Sequence, residues 1–456
     1  MEDLTVIREK KRKRFEEAVA RRTNYDVSFS PVEELDWHNH DLKLLREFCD
    51  MVSTETNPPI EEVMPGVALC VLFLNPMFPP AFNFEASWAL ANVASMTHGH
   101  AKLVIDSKAV PVFLDLLISA SYEVREQAVR ALGNIAGDSR ESRLLLLEED
   151  ALDRLLEQGN YKSTLRMLRY VAMALFNFSL GDPPLPFHLV PPVLSSLQYL
   201  VYVEDQDVIS YSCGALAYLL DGSIDKIQRE INPGLYPRLV ELLMHPLLRV
   251  QIAALRSVRI IARGDNVRRQ YIIDQGALLS LRSLLTHDNT TIKNEACLII
   301  SAITAGNENQ NQEVIDARLI EPLFSLLQSG EPDISEKAGK AVLKVISRGN
   351  HYGIKGLQNC VQQLCDLLLS PDPMILEVGL KGIASISKPS EAEKCSEDFN
   401  FLVKLIDEAG GLDKIEDLKM HENCEISKKA KEIWKPLYSE ALKVWKYFED
   451  LGDLFV

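Results

Sequence analysis

The chain has 456 residues, 47% of them hydrophobic and 25% charged, with 65 Asp and Glu against 49 Lys and Arg for a formal net charge of −16. That composition supplies a globular core and excludes a chain that is disordered or fibrous throughout. General nucleic-acid binding and adhesion to a membrane surface both want a basic face, so the acidic balance argues against them and suits a cationic partner.

Taken from the N-terminus, residues 1–22 hold eight Lys/Arg and five Asp/Glu, a balance of +3 ahead of a body at −19. Such asymmetry marks an interaction tail. Residues 1–30 are therefore expected to form a short disordered basic arm, with some helical character in FEEAVARRTN. The opening MEDLTVIREKKRKR lacks the apolar region of a secretory signal. The most membrane-like stretch, Val63–Phe82, contains Asn75 and Pro65, Pro76, Pro79 and Pro80, so buried helix and loop are expected there. The eight cysteines are scattered, mostly inside apolar runs, and read as reduced core thiols. Cys360 and Cys365 are the one close pair, and no Cys/His set completes a zinc site. His98 and His100 are expected in a loop after a groove helix, without an acidic or cysteine partner at ligand spacing.

Beyond residue 80 the chain repeats itself. FEASWALANVAS, EQAVRALGNIAGD, RYVAMALFNFSLGD, SYSCGALAYLLDG, AALRSVRIIARGD, NEACLIISAITAGN, EKAGKAVLKVISRG and EVGLKGIASIS share one template. One column through them holds Asn92, Asn134, Asn177, Tyr218, Ile260, Ala302, Lys344 and Ser385, at steps of 42, 43, 41, 42, 42, 42 and 41 residues. Between them VIDSKAVPVFLDLL, INPGLYPRLVELL, IIDQGALLSLRSLL and VIDARLIEPLFSLL place an apolar turn before a helix with apolar residues three and four apart. Strand-type alternation is scarce. The pattern predicts an all-α repeat protein in which one unit cannot bury its faces alone, so the units stack into a solenoid with a concave groove. At the C-terminal end, ISKKAKEIWKPLYSEALKVWKYFEDL is amphipathic, with Ile426, Ile433, Trp434 and Leu437 among its apolar residues, and EDLGDLFV reads as a tail. No phosphate-binding glycine loop, nucleophile elbow or zincin motif is present, so no catalytic residue, metal or cofactor is expected.

The repeats resemble armadillo repeats. The words FEASWALANVAS, EQAVRALGNIAGDS, DGSIDKIQ, EACLIISAITAGN and GGLDKIEDLKMHEN are similar, more narrowly, to the importin-α (karyopherin-α) family, over roughly residues 35–440. The resemblance implies a right-handed superhelical solenoid of about ten armadillo repeats. Residues 31–440 form the array, preceded by the arm at 1–30 and followed by an acidic-hydrophobic tail at 441–456. It implies an adaptor that reads basic nuclear localisation signals, hands them to importin-β and moves between cytoplasm and nucleus.

In that family a Trp and an Asn stand at i and i+4 on the groove face. The Asn amide engages the backbone of an extended peptide, Trp faces hold Lys and Arg stems, and carboxylates pair with the cationic heads. The N-terminal, major groove here matches with Trp88 and Asn92, Arg130 and Asn134, and Met173 and Asn177. Asp138, Asp207 and Asp221 match acidic positions, and Tyr211 stands where another acid is expected. Arg130 puts a cation in a lysine slot. In the C-terminal, minor groove Leu298 and Lys340 replace Trp, Ala302 and Lys344 replace Asn, and Lys337 replaces an acid, so bipartite signals are not expected to be read in the usual way. Arg8, Lys10, Lys11, Arg12, Lys13, Arg14, Arg21 and Arg22 resemble a shortened importin-β-binding segment. GGLDKIEDLKMHEN resembles the region that meets the family's export receptor. A second reading stays open: an armadillo scaffold derived from importin-α that no longer carries classical cargo, with its asparagines as plain solvated positions.

Overall fold

The computed structural model describes residues 4–23, 33–223, 231, 233–348, 354–387 and 397–452. Among the described residues the regular structure is helical throughout, and none of the helices is long and apolar enough to cross a membrane. The chain forms two compact units, Met1–Asn232 and Pro233–Val456.

In the first unit the long helices Glu33–Thr54, Pro80–Ala94, Tyr122–Asp138, Leu165–Ser179 and Gln206–Ser223 pack side by side in chain order. In the second, Leu248–Ala262, Thr290–Ile303, Pro332–Arg348, Pro373–Ile386 and Cys424–Gly452 do the same. Shorter helices, such as His98–Asp106 and Ala109–Leu116, join one long helix to the next. The apolar spacing explains the stacking. In Tyr122–Asp138 the residues Val124, Ala128, Ala131, Leu132 and Ile135 are all fully buried, which is the i, i+4, i+7, i+8, i+11 stripe of a helix buried along one side. Each such leucine contributes about 2 kcal/mol by leaving water, so a repeat draws its stability from its neighbours.

The starts and turns are written locally. Ser121, Ser139, Thr164, Asp265, Asn289 and Asp372 each cap a helix by accepting a backbone N–H of its first turn, and Asn307 and Gln310 form a reciprocal capping box. The bend between the two short helices of a repeat uses a left-handed residue. Lys108, Asp150, Gly276 and Arg318 have φ of 65°, 54°, 84° and 55°, at positions separated by whole multiples of 42. Only Gly276 adopts that conformation without a steric cost.

The described part of the basic arm, residues 4–23, is not disordered. Leu4–Thr23 is a helix, and it lies against Ile60–Phe73. Phe15 and Ala18, three residues apart and so on one face, are both 1% exposed. The Phe15 ring meets Phe48 edge-on at 5.6 Å between centroids, and Arg14 pairs with Glu47 at 3.0 Å. Net charge alone predicts a disordered arm because it takes no account of this apolar face. At the other end the helix Cys424–Gly452 runs past residue 440, where a tail was expected. Leu437 and Ala441, one turn apart, extend its buried face. His98 and His100 open a helix rather than occupy a loop. Cys49, Cys70, Cys213, Cys297, Cys360 and Cys365 are buried free thiols and Cys424 is exposed, while Cys395 lies outside the described residues. Burial pushes the Cys297, Cys360 and Cys365 thiols up to about 12, which keeps them protonated and unreactive.

Candidate functional site

The asparagine column forms a ladder. Asn134 donates its Nδ2 to the carbonyl of Ala91 at 2.8 Å, and Asn177 donates to the carbonyl of Gly133 at 2.8 Å. Each acceptor is the residue just before the preceding asparagine of the column, so one bond recurs a repeat later. The bond fixes the amide's rotamer and satisfies one N–H. Both side chains are half-buried, and among the described residues the second N–H and Oδ1 take no further protein partner. Gly137 makes room for this: a Cβ there would stand 2.6 Å from Asn177 Nδ2.

Asn92 does not repeat the pattern. It is 9% exposed, donates to Ser53 Oγ at 2.9 Å and accepts from Arg130 Nη2 at 2.6 Å. Its amide is therefore held on both sides by the protein. The Arg130 guanidinium lies 6.0 Å over the Tyr170 ring, close to Gln127 Oε1 at 3.5 Å, and its burial lowers its pKa. The chain thus places a cation of its own on the ladder face. Trp88 is half-buried, with its ring 6.1 Å from Phe84.

The three carboxylates differ. Asp138 has only 6% of its side chain exposed, accepts from Ser142 Oγ at 3.0 Å and lies 2.9 Å from His98 Nδ1. A carboxylate only accepts, so the His98 ring carries its proton on Nδ1. That acidic partner of His98 was not foreseen, because the two residues are 40 apart in sequence. Asp207 is 38% exposed and 3.9 Å from Arg169 Nε, and Asp221 is exposed at the far end of the same helix. Arg169 is itself forked onto Asp205, with contacts of 3.1, 3.1 and 2.6 Å. Asp205 also accepts the backbone N–H groups of Asp207 and Val208, capping Gln206–Ser223, and the Arg169 fork first, with these cap bonds behind it, holds its carboxyl below the usual range.

In the second unit Lys344 donates to the carbonyl of Ser301 at 3.1 Å. Ser301 is the residue just before Ala302, so the lysine makes the same inter-repeat bond that Asn134 and Asn177 make. Ala302 is buried, Leu298 and Lys337 are half-buried, and exposed Lys340 pairs with Glu336 one turn away.

Of the N-terminal basic residues, Arg12 pairs with Glu16 at 3.3 Å, Lys13 with Glu9 at 3.4 Å, and Lys10 is exposed. The side chains of Arg8, Lys11, Arg21 and Arg22 lie outside the described residues. Near the C-terminus the Lys419 ammonium sits 3.6 Å over the Trp434 ring, which stacks on Tyr438 at 4.7 Å.

A stack of repeats about 42 residues long, each a long helix joined to the next by shorter ones, is the armadillo arrangement. A family profile described as Armadillo/beta-catenin-like repeat matches residues 97–137, and one described as Atypical Arm repeat matches residues 400–435. A crystal structure of an engineered protein superposes with a TM-score of 0.73 over 93% of this chain and 98% of that one, at 24% identity, which speaks to fold alone. Importin subunit alpha-1b of Oryza sativa subsp. japonica is 47% identical over 406 residues, covering 88% of this chain and 76% of that protein. Importin subunit alpha-4 of Arabidopsis thaliana is 46% identical over 407 residues, covering 88% and 76%. The chain belongs to the importin-α family.

Proposed function

We propose that this chain is a nuclear import adaptor that binds one short basic peptide along the ladder face of its first unit. The observation that carries this reading is the repeated bond from Asn134 and Asn177 to Ala91 and Gly133, which aims two amides of matched orientation at an extended backbone. A peptide strand offers N–H and C=O groups at a regular spacing, and each held amide supplies one acceptor and one donor. Asp207, Asp221 and the Trp88 face supply cation contacts. Asp138 is committed to Ser142 and His98 and acts through the local field rather than as an open ligand.

In this reading Asn92 is a closed position, and the second unit takes no basic peptide because Lys340 and Lys344 stand on its face. The basic helix Leu4–Thr23 is the importin-β-binding element, with Phe15 and Ala18 as its docked side. The C-terminal repeat contacts the export receptor, and the chain works in both cytoplasm and nucleus by binding, not catalysis. The alternative of a scaffold without classical cargo draws on one observation, the Arg130 cation bonded to Asn92.

Fluorescence anisotropy of the full chain with a labelled monopartite basic peptide separates the two. The adaptor reading expects binding at micromolar or tighter, weakened at least about tenfold by Asn134→Ala with Asn177→Ala, the loss of two hydrogen-bonding amides. No saturation up to about 100 μM, a free energy weaker than about 5.5 kcal/mol, leaves the scaffold reading.

A further inference from the structure

The helix Tyr122–Asp138 carries Arg130, Asn134 and Asp138 at steps of four residues, so they follow one another along one face. The ladder amide of Asn134 thus lies between a cation and a carboxylate. Asp138 Oδ2 accepts from Ser142 Oγ at 3.0 Å and lies 2.9 Å from His98 Nδ1. These two partners differ in kind. Ser142 is 5% exposed, its hydroxyl is also met by Ser139 Oγ at 2.8 Å, and it is neutral at every pH. The His98 side chain is 65% exposed, so its ring exchanges protons with water, while the carboxylate it touches is shielded. The other charged groups on the helices around His98 are engaged elsewhere or make no ion pair with it. Glu85 pairs with Arg46, and Arg130 is held on Asn92. His100 has both ring nitrogens bonded, to Thr97 Oγ1 at 2.7 Å and to the carbonyl of Pro58 at 2.8 Å. Among the described residues, Glu61 and Glu62 on Ile60–Phe73, Lys102 and Asp106 on its own helix, Asp115 on Ala109–Leu116, and Arg140 and Glu141 beyond Ser139 pair with neither His98 nor Asp138.

We propose that His98 is a protonation-sensitive gate on the peptide-binding face: neutral, it positions the Asp138 carboxylate and leaves its negative charge to a basic peptide, and protonated, it cancels that charge. The proposal rests on the adaptor reading and adds the residue that sets how strongly the face attracts a cation beside Asn134. An imidazole takes up its second proton between about pH 8 and 5, whereas a carboxylate stays ionised down to about pH 4, so in that window one member of the pair changes charge. Nδ1 carries a hydrogen in both forms of the ring, so the bond to Asp138 is kept and the change is in charge alone. With His98 neutral, Arg130 and Asp138 balance around Asn134. With His98 protonated, the same surroundings carry one net positive charge. A peptide cation near Asp138 disfavours that added charge, so peptide binding expels the His98 proton. By linkage, affinity is full where His98 is neutral in the free chain and falls as pH drops through its titration. Arg130 is thus a permanent cation on this face and His98 a conditional one.

The test is anisotropy of the full chain at constant ionic strength, with a labelled, end-capped peptide whose only titratable residues are lysine and arginine. Affinity of the unmodified chain should fall about fivefold between about pH 7.5 and about pH 5.5, the scale of a partly exposed ion pair. His98→Gln, a neutral donor at every pH, should stay within about twofold across that range, and His98→Lys should already be about fivefold weaker at about pH 7.5 and change little with acid. His98 is mostly exposed, so neither substitution disturbs the core. A His98→Gln chain that loses affinity with acid as the unmodified chain does assigns the dependence to another group and overturns the gate. So does an unmodified chain whose affinity is flat in pH, or a His98→Lys chain that binds as tightly as the unmodified one at about pH 7.5. Each of these results leaves the adaptor reading standing, because the peptide still binds. No saturable binding to the unmodified chain at about pH 7.5 overturns the adaptor reading and the gate together.

Discussion

The two units stack their long helices in the same way and keep the same inter-repeat bond, but they make that bond with opposite consequences. In the first unit Asn134 and Asn177 reach back to the carbonyls of Ala91 and Gly133, and each amide still has an oxygen and an N–H to offer. In the second, Lys344 reaches back to the carbonyl of Ser301 at 3.1 Å. The lysine serves the scaffold equally well, since an ammonium donates as an amide does. It removes the acceptor and adds a charge. A structural role and a recognition role thus sit on one column of residues, and the second can be lost without the first. The first unit shows an intermediate step at Arg130, where the cation is drawn onto Asn92 and over Tyr170, so that one amide is withdrawn while its neighbours stay open.

The strongest challenge to this comparison is to convert the second unit. Leu298→Trp, Ala302→Asn, Lys340→Trp and Lys344→Asn together remove two cations and supply two Trp–Asn pairs. In a chain whose first unit is silenced by Asn134→Ala with Asn177→Ala, they should raise affinity for a basic peptide by about a hundredfold, roughly 2.7 kcal/mol. Calorimetry on the grafted but unsilenced chain should then count two peptides bound in place of one. A graft that folds but binds nothing would mean that the column alone does not define the site.

A smaller effect is expected at Arg130. Arg130→Trp releases Asn92 Oδ1 and takes away a half-buried like charge, so the same peptide should bind about tenfold tighter at low salt, with a steeper loss of affinity as salt rises. Unchanged affinity would show that peptides never approach Asn92.

The smallest concerns two carboxylates that are both held below their usual range. Asp205 is shielded, forks Arg169 and caps Gln206–Ser223, whereas Glu336 meets Lys340 in open solvent. Asp205→Asn should cost about 1 kcal/mol, the scale of a lost N-cap charge, while Glu336→Gln should leave the melting temperature unchanged. Since folding depresses the Asp205 pKa from 3.8, its contribution is complete above that value and drains away as pH falls through the lower folded value. Thermal melts of Asp205→Asn should therefore converge with those of the unmodified chain on the acid side, and parallel curves at every pH would sink the account.

The sequence by itself determined the repeat, its period of about 42 residues and the all-helical class, because apolar periodicity and capping residues act over a few neighbours, while the family was legible only as a resemblance in words such as FEASWALANVAS and GGLDKIEDLKMHEN. It also placed Asn92, Asn134 and Asn177 in one column. It did not show that they differ, for that depends on Ser53 and Arg130, 39 and 38 residues from Asn92. Nor did it show that Lys344 preserves the ladder bond or that Asp138 is engaged by His98. It misread the N-terminal segment for the same reason: net charge is a sum over residues, whereas docking turned on Phe15 and Ala18 facing Phe48. Periodicity says which side of a helix is covered. Only the tertiary structure decides what covers it, since a hydrogen bond or a ring contact between repeats is settled by ångström distances across about forty intervening residues.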